Sequence, residues 1–266
     1  MKRLVLCADD FAQSRAISRG ILDLAEAGRI TATSVFSLSE HWMEGARQLK
    51  PLSPRVEAGL HLTLTEPFDD TARPLGRWLL MSQAGCVPRQ AVRRSFEAQL
   101  MRFCEEWGEL PAYLDGHQHV HALPGIRDEV FALIERHWTG ASRPWIRLPD
   151  RLGHPGQSRF KASVLTFCCR GFARQAAQRG LTSHAWFGGL YSLSGDAAYR
   201  ALMREWLAAC PDGALMMCHP GMPATNPADP IARARVNEYR YLASPAFAED
   251  LRSAGVELVT GSRTAG

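Results

Sequence analysis

The sequence predicts a single α/β domain over residues 1–266, built as a β/α barrel of the TIM type. Short apolar runs alternate with amphipathic stretches seven or eight times, as in parallel strands joined by crossover helices. No repeat, low-complexity tract or interdomain linker interrupts this alternation, and the length is ordinary for one barrel. Polar side chains recur where the apolar runs end. An open doubly wound sheet stays an alternative, because periodicity does not distinguish it from a closed barrel.

The apolar runs define the predicted strands, and the amphipathic stretches define the predicted helices. The strands cover residues 3–8, 32–38, 56–62, 112–117, 145–148, 182–186, 214–218 and 256–260. The helices cover residues 14–27, 41–49, 89–107, 125–137, 160–178, 196–209 and 245–253. Pro and Gly residues in 66–88 and 220–230 predict long loops, a kind of segment that often forms lids or binding loops.

The formal net charge of +4 is too small to indicate a nucleic-acid partner. Much of the excess lies between residues 143 and 179, which we interpret as solvated helix faces, with attraction of an anionic substrate group as the alternative. Seven cysteines without framework spacing suit a reducing compartment. The apolar start ends at Asp9, which is too short for a signal peptide, and no stretch could span a membrane. We expect a cytoplasmic protein, and a homodimer is one possible assembly.

Polar side chains from separate strands are predicted to meet at one edge of the sheet. Active sites in barrels and open parallel sheets form at the carboxyl ends of the strands. Five of the predicted strands carry polar residues at or near this end, namely Asp9 and Asp10, His61, His117, Arg147 and His219. Delivery by several independent strands predicts a shared site.

The run from Asp115 to His121 reads Asp-Gly-His-Gln-His-Val-His. In extended backbone alternate residues share a face, so Asp115, His117, His119 and His121 would point the same way. Imidazoles and carboxylates are ordinary ligands of divalent metals, or partners of those ligands. An exposed His-rich turn is the alternative interpretation, but the run follows an apolar strand.

Asp9 and Asp10 suggest a division of labour in which one carboxylate binds a metal and the other acts as a general base. The alternative, an acidic helix N-terminus, is weakened because Ser14 is already a good cap. His61 shares a strand face with two threonines and not with the neighbouring leucines, which favours a ligand over a core histidine. Together, Asp10, His61 and His117 would form a site of two imidazoles and one carboxylate.

His219 precedes Pro220-Gly221 at the end of a predicted strand. As a site residue it could protonate a leaving group or stabilise an oxyanion, and the alternative is an incidental histidine in a tight turn.

These motifs resemble those of the YdjC-like carbohydrate deacetylases, a family that includes chitooligosaccharide deacetylases and a hopanoid-associated type. The resemblance extends over nearly the whole chain and rests on four blocks in order: 8–11, 59–65, 114–121 and 218–221. It implies a deformed β/α barrel that hydrolyses the N-acetyl group of an amino-sugar substrate. It also implies one divalent metal ion, usually Mg²⁺. Zn²⁺ and Mn²⁺ are chemically possible as well, and two imidazoles argue against Mg²⁺ on ligand softness.

Carried over by motif, the resemblance makes Asp10, His61 and His117 the metal ligands. Asp9 matches the general base toward metal-bound water, and His219 matches the acid. We expect the remaining candidates to contact the substrate or to support the ligands, namely Asp115, His119, His121, Arg147 and Trp186. Four aromatic residues favour stacking on sugar faces, namely Trp78, Trp186, Phe187 and Tyr191.

The sequence departs from the family pattern at two positions. Ala12 stands where the family usually has Gly, and Ala would cost about 1 kcal/mol there if φ is positive. Gln118 stands where the family often has His, and we expect it on the face opposite His117. Two other functions remain open: a metallo-phosphoesterase or other amidohydrolase with the same site, and a non-catalytic sugar- or metal-binding protein. The last would leave Asp9 and His219 without a task.

Overall fold

The computed structural model describes residues 1–140, 143–153, 159–223 and 229–265, and its centre is one curled parallel sheet. Eight short strands build it. They are β1 (Lys2–Phe11), β2 (Ala32–Val35), β3 (Glu57–Leu62), β4 (Tyr113–Gly116), β5 (Trp145–Ile146), β6 (Phe187–Gly188), β7 (Ala214–Cys218) and β8 (Val256–Leu258). Every paired strand is parallel to its neighbour.

β1 is an interior strand of the order β5-β4-β3-β2-β1-β7-β6, between β2 and β7. Its first residues also pair with β8, from Lys2 with Val256 to Leu4 with Leu258. Two single parallel bridges join the two ends of this order. One pairs Ile146 of β5 with Ser183, and the other pairs Leu152 with Phe187 of β6. The sheet therefore curls into a half-barrel, which confirms the predicted deformed barrel.

Helices surround this sheet and pack their apolar faces on it. They are α1 (Arg15–Glu26), α2 (Trp42–Leu49), α3 (Leu75–Gln83), α4 (Arg89–Trp107), α5 (Ile126–His137), α6 (Arg159–Cys169), α7 (Phe172–Gln178), α8 (Tyr199–Ala209), α9 (Ala232–Leu242) and α10 (Pro245–Ser253). Ser14 caps α1 by accepting a hydrogen bond from the Ile17 N–H, as expected for a Ser at this position. Among the described residues, no helix is both long and apolar enough to cross a membrane.

Two predicted elements are wrong. The strand predicted at 182–186 is not formed: Ser183 makes only a single bridge, and β6 starts later, at Phe187. The helix predicted at 160–178 is two helices, because Gly171 adopts a left-handed φ of 80° and turns the chain between α6 and α7. The helix predicted from residue 196 begins at Tyr199.

The segment 66–88 was predicted as a long loop, and it contains α3 instead. Pro74 immediately precedes this helix, where its fixed φ is compatible with a helix start. The buried Trp78 anchors the helix by donating its indole N–H to the Leu64 carbonyl at 2.8 Å. Of the second predicted loop, 220–230, residues 224–228 lie outside the described ranges. The sequence also gave no indication of α9, which follows that loop.

Candidate metal centre and cleft

A bulge in β1 sends two adjacent aspartates into one cleft. Neighbouring residues of a regular strand point to opposite faces, but the pairing of β1 with β2 shifts register between Ala8 and Phe11. Asp10 takes a positive φ of 70° within this bulge. Asp9 and Asp10 consequently both line the cleft, although each is almost completely buried.

Asp10 meets two histidines from other strands. Its Oδ1 lies 3.5 Å from His61 Nε2, which comes from β3, and 3.1 Å from His117 Nδ1, which follows β4. The potential ligand atoms of Asp10, His61 and His117 all lie within 4.8 Å of one another. The fold thus brings together the three residues predicted to bind a metal, and their ligation of a metal stays a prediction.

Each histidine has a carboxylate on its other ring nitrogen. His61 Nδ1 lies 2.6 Å from Asp115 Oδ1, and His117 Nε2 lies 3.4 Å from Glu66 Oε1. A carboxylate behind a ligating imidazole fixes the ring and raises its basicity, which is a usual feature of metal sites in proteins. Asp115 therefore lies behind a predicted ligand and does not line the cleft.

Arg147 is buried among acidic and polar groups at the base of the site. Its guanidinium donates two hydrogen bonds to Asp9, at 2.6 and 2.7 Å, and lies 2.6 Å from Asp115 and 3.1 Å from the Cys7 sulfur. Cys7, Asp9 and Asp115 are close enough to resemble a second metal-ligand group, but the guanidinium already occupies that space. Arg147 therefore contacts Asp9 from behind and is not among the residues that line the cleft.

These contacts determine which groups carry charge. Burial alone would raise the pKa of Asp9, but the charge and hydrogen bonds of Arg147 outweigh it and hold that pKa well below its usual value. Asp10 behaves alike: burial opposes ionisation, and Arg235 and His117 overcome it, so its pKa is also low. Burial would lower the pKa of His61, but Asp115 and Asp10 raise it to about 10. Both aspartates are therefore ionised, and the cluster attracts positive charge.

His219 contacts Asp9 from the cleft, whereas Arg147 contacts it from behind. The His219 Nε2 lies 3.8 Å from Asp9 Oδ2. Its backbone N–H donates to Glu238 at 2.6 Å, and Tyr191 donates to the same carboxylate at 2.6 Å. Burial raises the pKa of Glu238 despite the opposing effect of the nearby His219. Asp9 and His219, the predicted base and acid, thus face the same cleft from two strands.

The expectation that residues 115–121 are extended is wrong. After Gly116 the chain turns into a 3-10 segment in which Gln118 and His119 have positive φ values of 51° and 60°. An extra carbon at Gly116 would lie 3.0 Å from the Leu62 carbonyl, so glycine permits the tight approach at this turn. His121 is directed away from the cleft, and its Nε2 lies 2.9 Å from the Arg147 carbonyl. Gln118, which we had placed opposite His117, lines the same cleft together with His119.

The cleft encloses about 440 Å³, and most of its outer wall is aliphatic. Leu75 and Leu79 come from α3, Val164 and Leu165 come from α6, and further residues are Leu123, Leu190, Leu193 and Ile231. The aromatic residues expected to stack on a sugar do not line it. Trp78, Phe187 and Tyr191 are buried in the core, and Trp186 packs between Gly153 and Gly188.

Sequence reasoning missed Glu66, Gln13 and Arg235, all of which line the cleft. Arg235 Nη2 lies 2.8 Å from Asp10 Oδ2 and donates to Gln13 Oε1 at 2.9 Å. Glu66 directly follows the motif that contains His61 and could have been suspected from that position. Arg235 lies on α9, a helix that the sequence did not predict, so no local signal indicated it.

The match of residues 3–253 to the YdjC-like protein family identifies the chain's relatives. The chain belongs to the YdjC-like protein family. This confirms the resemblance drawn from the four sequence blocks.

Two similar proteins are named as deacetylases, and one solved structure has a similar fold. A mouse carbohydrate deacetylase is 29% identical over 301 residues, which covers 96% of this chain and 93% of that protein. A chitooligosaccharide deacetylase from Escherichia fergusonii is 32% identical over 135 residues, which covers 47% of this chain and 53% of that protein. A crystal structure from Enterococcus faecalis, of a proposed cellobiose-phosphate cleavage protein, has a TM-score of 0.73 at 19% identity and covers 100% of this chain and 99% of its own. That likeness supports the fold.

Ala12, the departure from the YdjC-like pattern, does occupy a turn with a positive φ of 71°. Left-handed backbone costs a residue with a Cβ roughly 1–2 kcal/mol. The Ala12 N–H bonds Ser18 Oγ at 3.0 Å and its carbonyl accepts from Ser39, so both sides of the turn are held. The turn after the two aspartates is therefore kept without glycine.

The residues of the candidate centre fit a divalent cation. Two imidazoles and one carboxylate are suitable donors, and each imidazole has a carboxylate partner on its other nitrogen. When both imidazoles are neutral, as metal ligation requires, the carboxylates of Asp9, Asp10, Glu66 and Asp115 outnumber the guanidiniums of Arg147 and Arg235. A bound cation would balance this excess of negative charge.

Proposed function

We propose that this YdjC-like protein hydrolyses the N-acetyl group of an amino-sugar substrate, and that it uses one divalent metal ion held by Asp10, His61 and His117. The observation that carries the proposal is the placement of Asp9 and His219 beside that ligand cluster in a single cleft. The names of the mouse and Escherichia fergusonii relatives support the same reaction.

The metal is proposed to be Mg²⁺ from the family resemblance, with Zn²⁺ or Mn²⁺ as alternatives because imidazoles are softer ligands than Mg²⁺ prefers. Bound by these three residues, a divalent cation would polarise the acetyl carbonyl and lower the pKa of a water molecule. Asp115 and Glu66 would keep the two imidazoles oriented for that task.

Asp9 is proposed as the general base and His219 as the general acid. The ionised Asp9 takes a proton from water as the water oxygen bonds to the acetyl carbon. Protonated His219 then donates to the amide nitrogen while the carbon–nitrogen bond breaks, which releases acetate and a free amine. The two groups are close enough to act on one acetamide, because His219 Nε2 lies 3.8 Å from Asp9.

The main alternative to a neutral amino sugar is a substrate with an anionic group, attracted by the basic stretch 143–179, and the structure gives it little support. Of the basic residues in 143–179, Lys161 lines the cleft, Arg147 is paired with Asp9 and Asp115, and Arg170 and Arg179 lie over the rings of Phe167 and Phe131. A metallo-phosphoesterase would use the same donor set, so assays of acetate release from N-acetylated sugars and phosphate release from phosphoesters should be run side by side.

The decisive test is Asp9→Asn. The amide cannot accept a proton as a base, so kcat/KM for acetate release should fall by about 10²–10⁴-fold. The metal content of the purified variant should stay equal to that of the wild type, because Asp9 is not one of the three proposed ligands. Acetate release and metal content are measured on the same samples.

His117→Ala is the matched control for this test, since it should lose both the metal and the activity. Far-UV circular dichroism of each variant checks that the fold is kept. Unchanged turnover in Asp9→Asn would remove Asp9 as the base, and phosphate release without acetate release would favour the phosphoesterase.

A further inference from the structure

The two histidines of the candidate centre present different ring nitrogens to Asp10. His61 turns its Nε2 toward Asp10 and its Nδ1 toward Asp115, whereas His117 turns its Nδ1 toward Asp10 and its Nε2 toward Glu66. A neutral imidazole can bind a metal only through the nitrogen that carries no proton. His117 therefore needs its proton on Nε2, the nitrogen that faces Glu66.

Glu66 belongs to a polar network that also reaches Asp10, through Gln13 and Arg235 and not through His117. Glu66 Oε1 lies 3.4 Å from His117 Nε2, and the Gln13 side chain is a second hydrogen-bonding partner of the same carboxylate. Gln13 also accepts a hydrogen bond from Arg235 at 2.9 Å. Arg235 in turn lies 2.8 Å from Asp10 and is fixed by a 2.8 Å hydrogen bond to Asp229.

We propose that Glu66, Gln13 and Arg235 form a positioning bridge for the metal centre. Glu66 sets the tautomer and ring orientation of His117, Arg235 orients the Asp10 carboxylate, and Gln13 connects the two. This inference rests on the proposed function only in its assignment of Asp10 and His117 as metal ligands. None of the three bridge residues is a ligand itself.

Three separate segments supply the bridge. Gln13 lies between β1 and α1, Glu66 follows β3, and Arg235 lies on α9, so only the folded chain assembles it. Two of the three predicted ligands are connected through it, while the third, His61, depends on Asp115. Loss of a carboxylate or other partner behind a metal ligand typically lowers metal affinity by about 10–100-fold.

The test measures Co²⁺ and Mn²⁺ affinity by calorimetry in the full chain first freed of metal. Glu66→Leu removes both the charge and the acceptor, and should weaken binding by about 10–100-fold. Glu66→Gln keeps an acceptor oxygen, and should give a smaller loss. Asp69→Asn is the matched control: this carboxylate lies three residues further along the same segment, bonds Thr71 and Ser95, does not line the cleft, and should leave affinity unchanged.

A spectroscopic readout separates positioning from general damage. Nitrogen-15 NMR of the protein loaded with diamagnetic Zn²⁺ should show a His117 Nε2–H signal in the wild type, and this signal should shift or exchange away in Glu66→Leu. The absorption spectrum of bound Co²⁺ should change in Glu66→Leu and not in Asp69→Asn. An unchanged tautomer together with unchanged affinity would overturn the role of Glu66.

The connection through Gln13 is tested by a double-mutant cycle. Arg235→Lys keeps the charge but loses the forked geometry, and Arg233→Lys, at an exposed position on the same helix, is its control. If the bridge is one unit, Glu66→Leu with Arg235→Lys should lose less affinity than the product of the two single losses. Strictly multiplicative losses would overturn the connection. A wild-type protein that binds no metal at all would instead refute the proposed function.

Discussion

Arg147, buried beneath the cleft, controls the charge of Asp9. It bonds both oxygens of Asp9 and also contacts Asp115, and its charge keeps the buried Asp9 carboxylate ionised. Such a pairing makes Asp9 a weak base in terms of proton affinity. Its usefulness as a base would therefore depend on its fixed position beside the ligand cluster.

His184 provides a pH-dependent test at a residue far in sequence from the proposed ligands. It is 2% exposed, lies edge-on to Trp145, and burial lowers its pKa to about 4, with a further contribution from the Arg147 charge. An unfolded histidine has a pKa of about 6.5, so the unfolded chain binds this proton more readily. Stability should be complete above about pH 6.5 and should fall as pH drops toward 4, by roughly 2 kcal/mol at pH 5.

His184→Gln removes this titration and serves as the comparison. Urea unfolding of both proteins at pH 7 and pH 5 should show a smaller pH dependence in the variant. Equal pH dependence in the two proteins would mean that His184 is protonated with little cost in the folded state.

At the residue scale, sequence could predict the candidates that lie in compact motifs. Asp10, His61 and His117 each end or follow an apolar strand, and their convergence follows from parallel strand ends meeting at one edge. Glu66, Gln13 and Arg235 could not be predicted in the same way. Their significance arises from contacts across the fold, and a polar residue on a loop or helix looks the same whether it is solvated or buried.

At the scale of one strand, Gly59 determines how β3 and β4 pack behind His61. A Cβ at this position would lie 2.3 Å from the Tyr113 ring. That ring cannot move easily, because it stacks on Trp145 at 3.9 Å and its hydroxyl contacts Cys7 and Ser34. Gly59→Ala should therefore lower the free energy of unfolding by about 1–3 kcal/mol.

Gly76→Ala is the matched control, since the same methyl group is added to a helix. Gly76 lies in α3, and a Cβ there would meet no atom within 4 Å. This change should stabilise the protein by up to about 1 kcal/mol, because alanine has the higher helix propensity. Thermal and urea unfolding should give effects of opposite sign, and a common sign would contradict the packing argument at Gly59.

The accuracy of the predicted bounds followed how clearly the sequence pattern changes at the ends of each element. α4, β7 and α10 have the predicted bounds, since their ends carry clear changes of pattern. α9 was missed because its sequence is mostly polar and it is held by buried ion pairs such as Arg235 with Asp10. The prolines and glycines of 66–88 hid α3, because Pro74 marks the start of a helix as readily as it marks a loop.

At the scale of the whole molecule, the cleft has two chemically different parts. The strand ends supply charged groups at its base, whereas α3, α6 and the segments around Leu190 and Ile231 supply an aliphatic wall. Periodicity predicted the strand ends but not this wall, since the wall depends on how separate helices pack over the sheet. A substrate that fills the cleft would meet both surfaces.

An N-acetylated amino sugar with an apolar group on its anomeric oxygen should therefore be a better substrate than the same sugar with a methyl group. Each buried methylene contributes about 0.8 kcal/mol, so the KM should fall about fourfold for each methylene that the wall covers. Acetate release measured across methyl, butyl and octyl glycosides of N-acetylglucosamine tests this. Leu79→Asn should reduce the gain in KM from the longer chains and leave the KM of the methyl glycoside nearly unchanged. Leu79 belongs to the outer wall of the cleft and is not one of the proposed metal ligands. A KM that is constant along the alkyl series would show that the aliphatic wall does not contact the substrate.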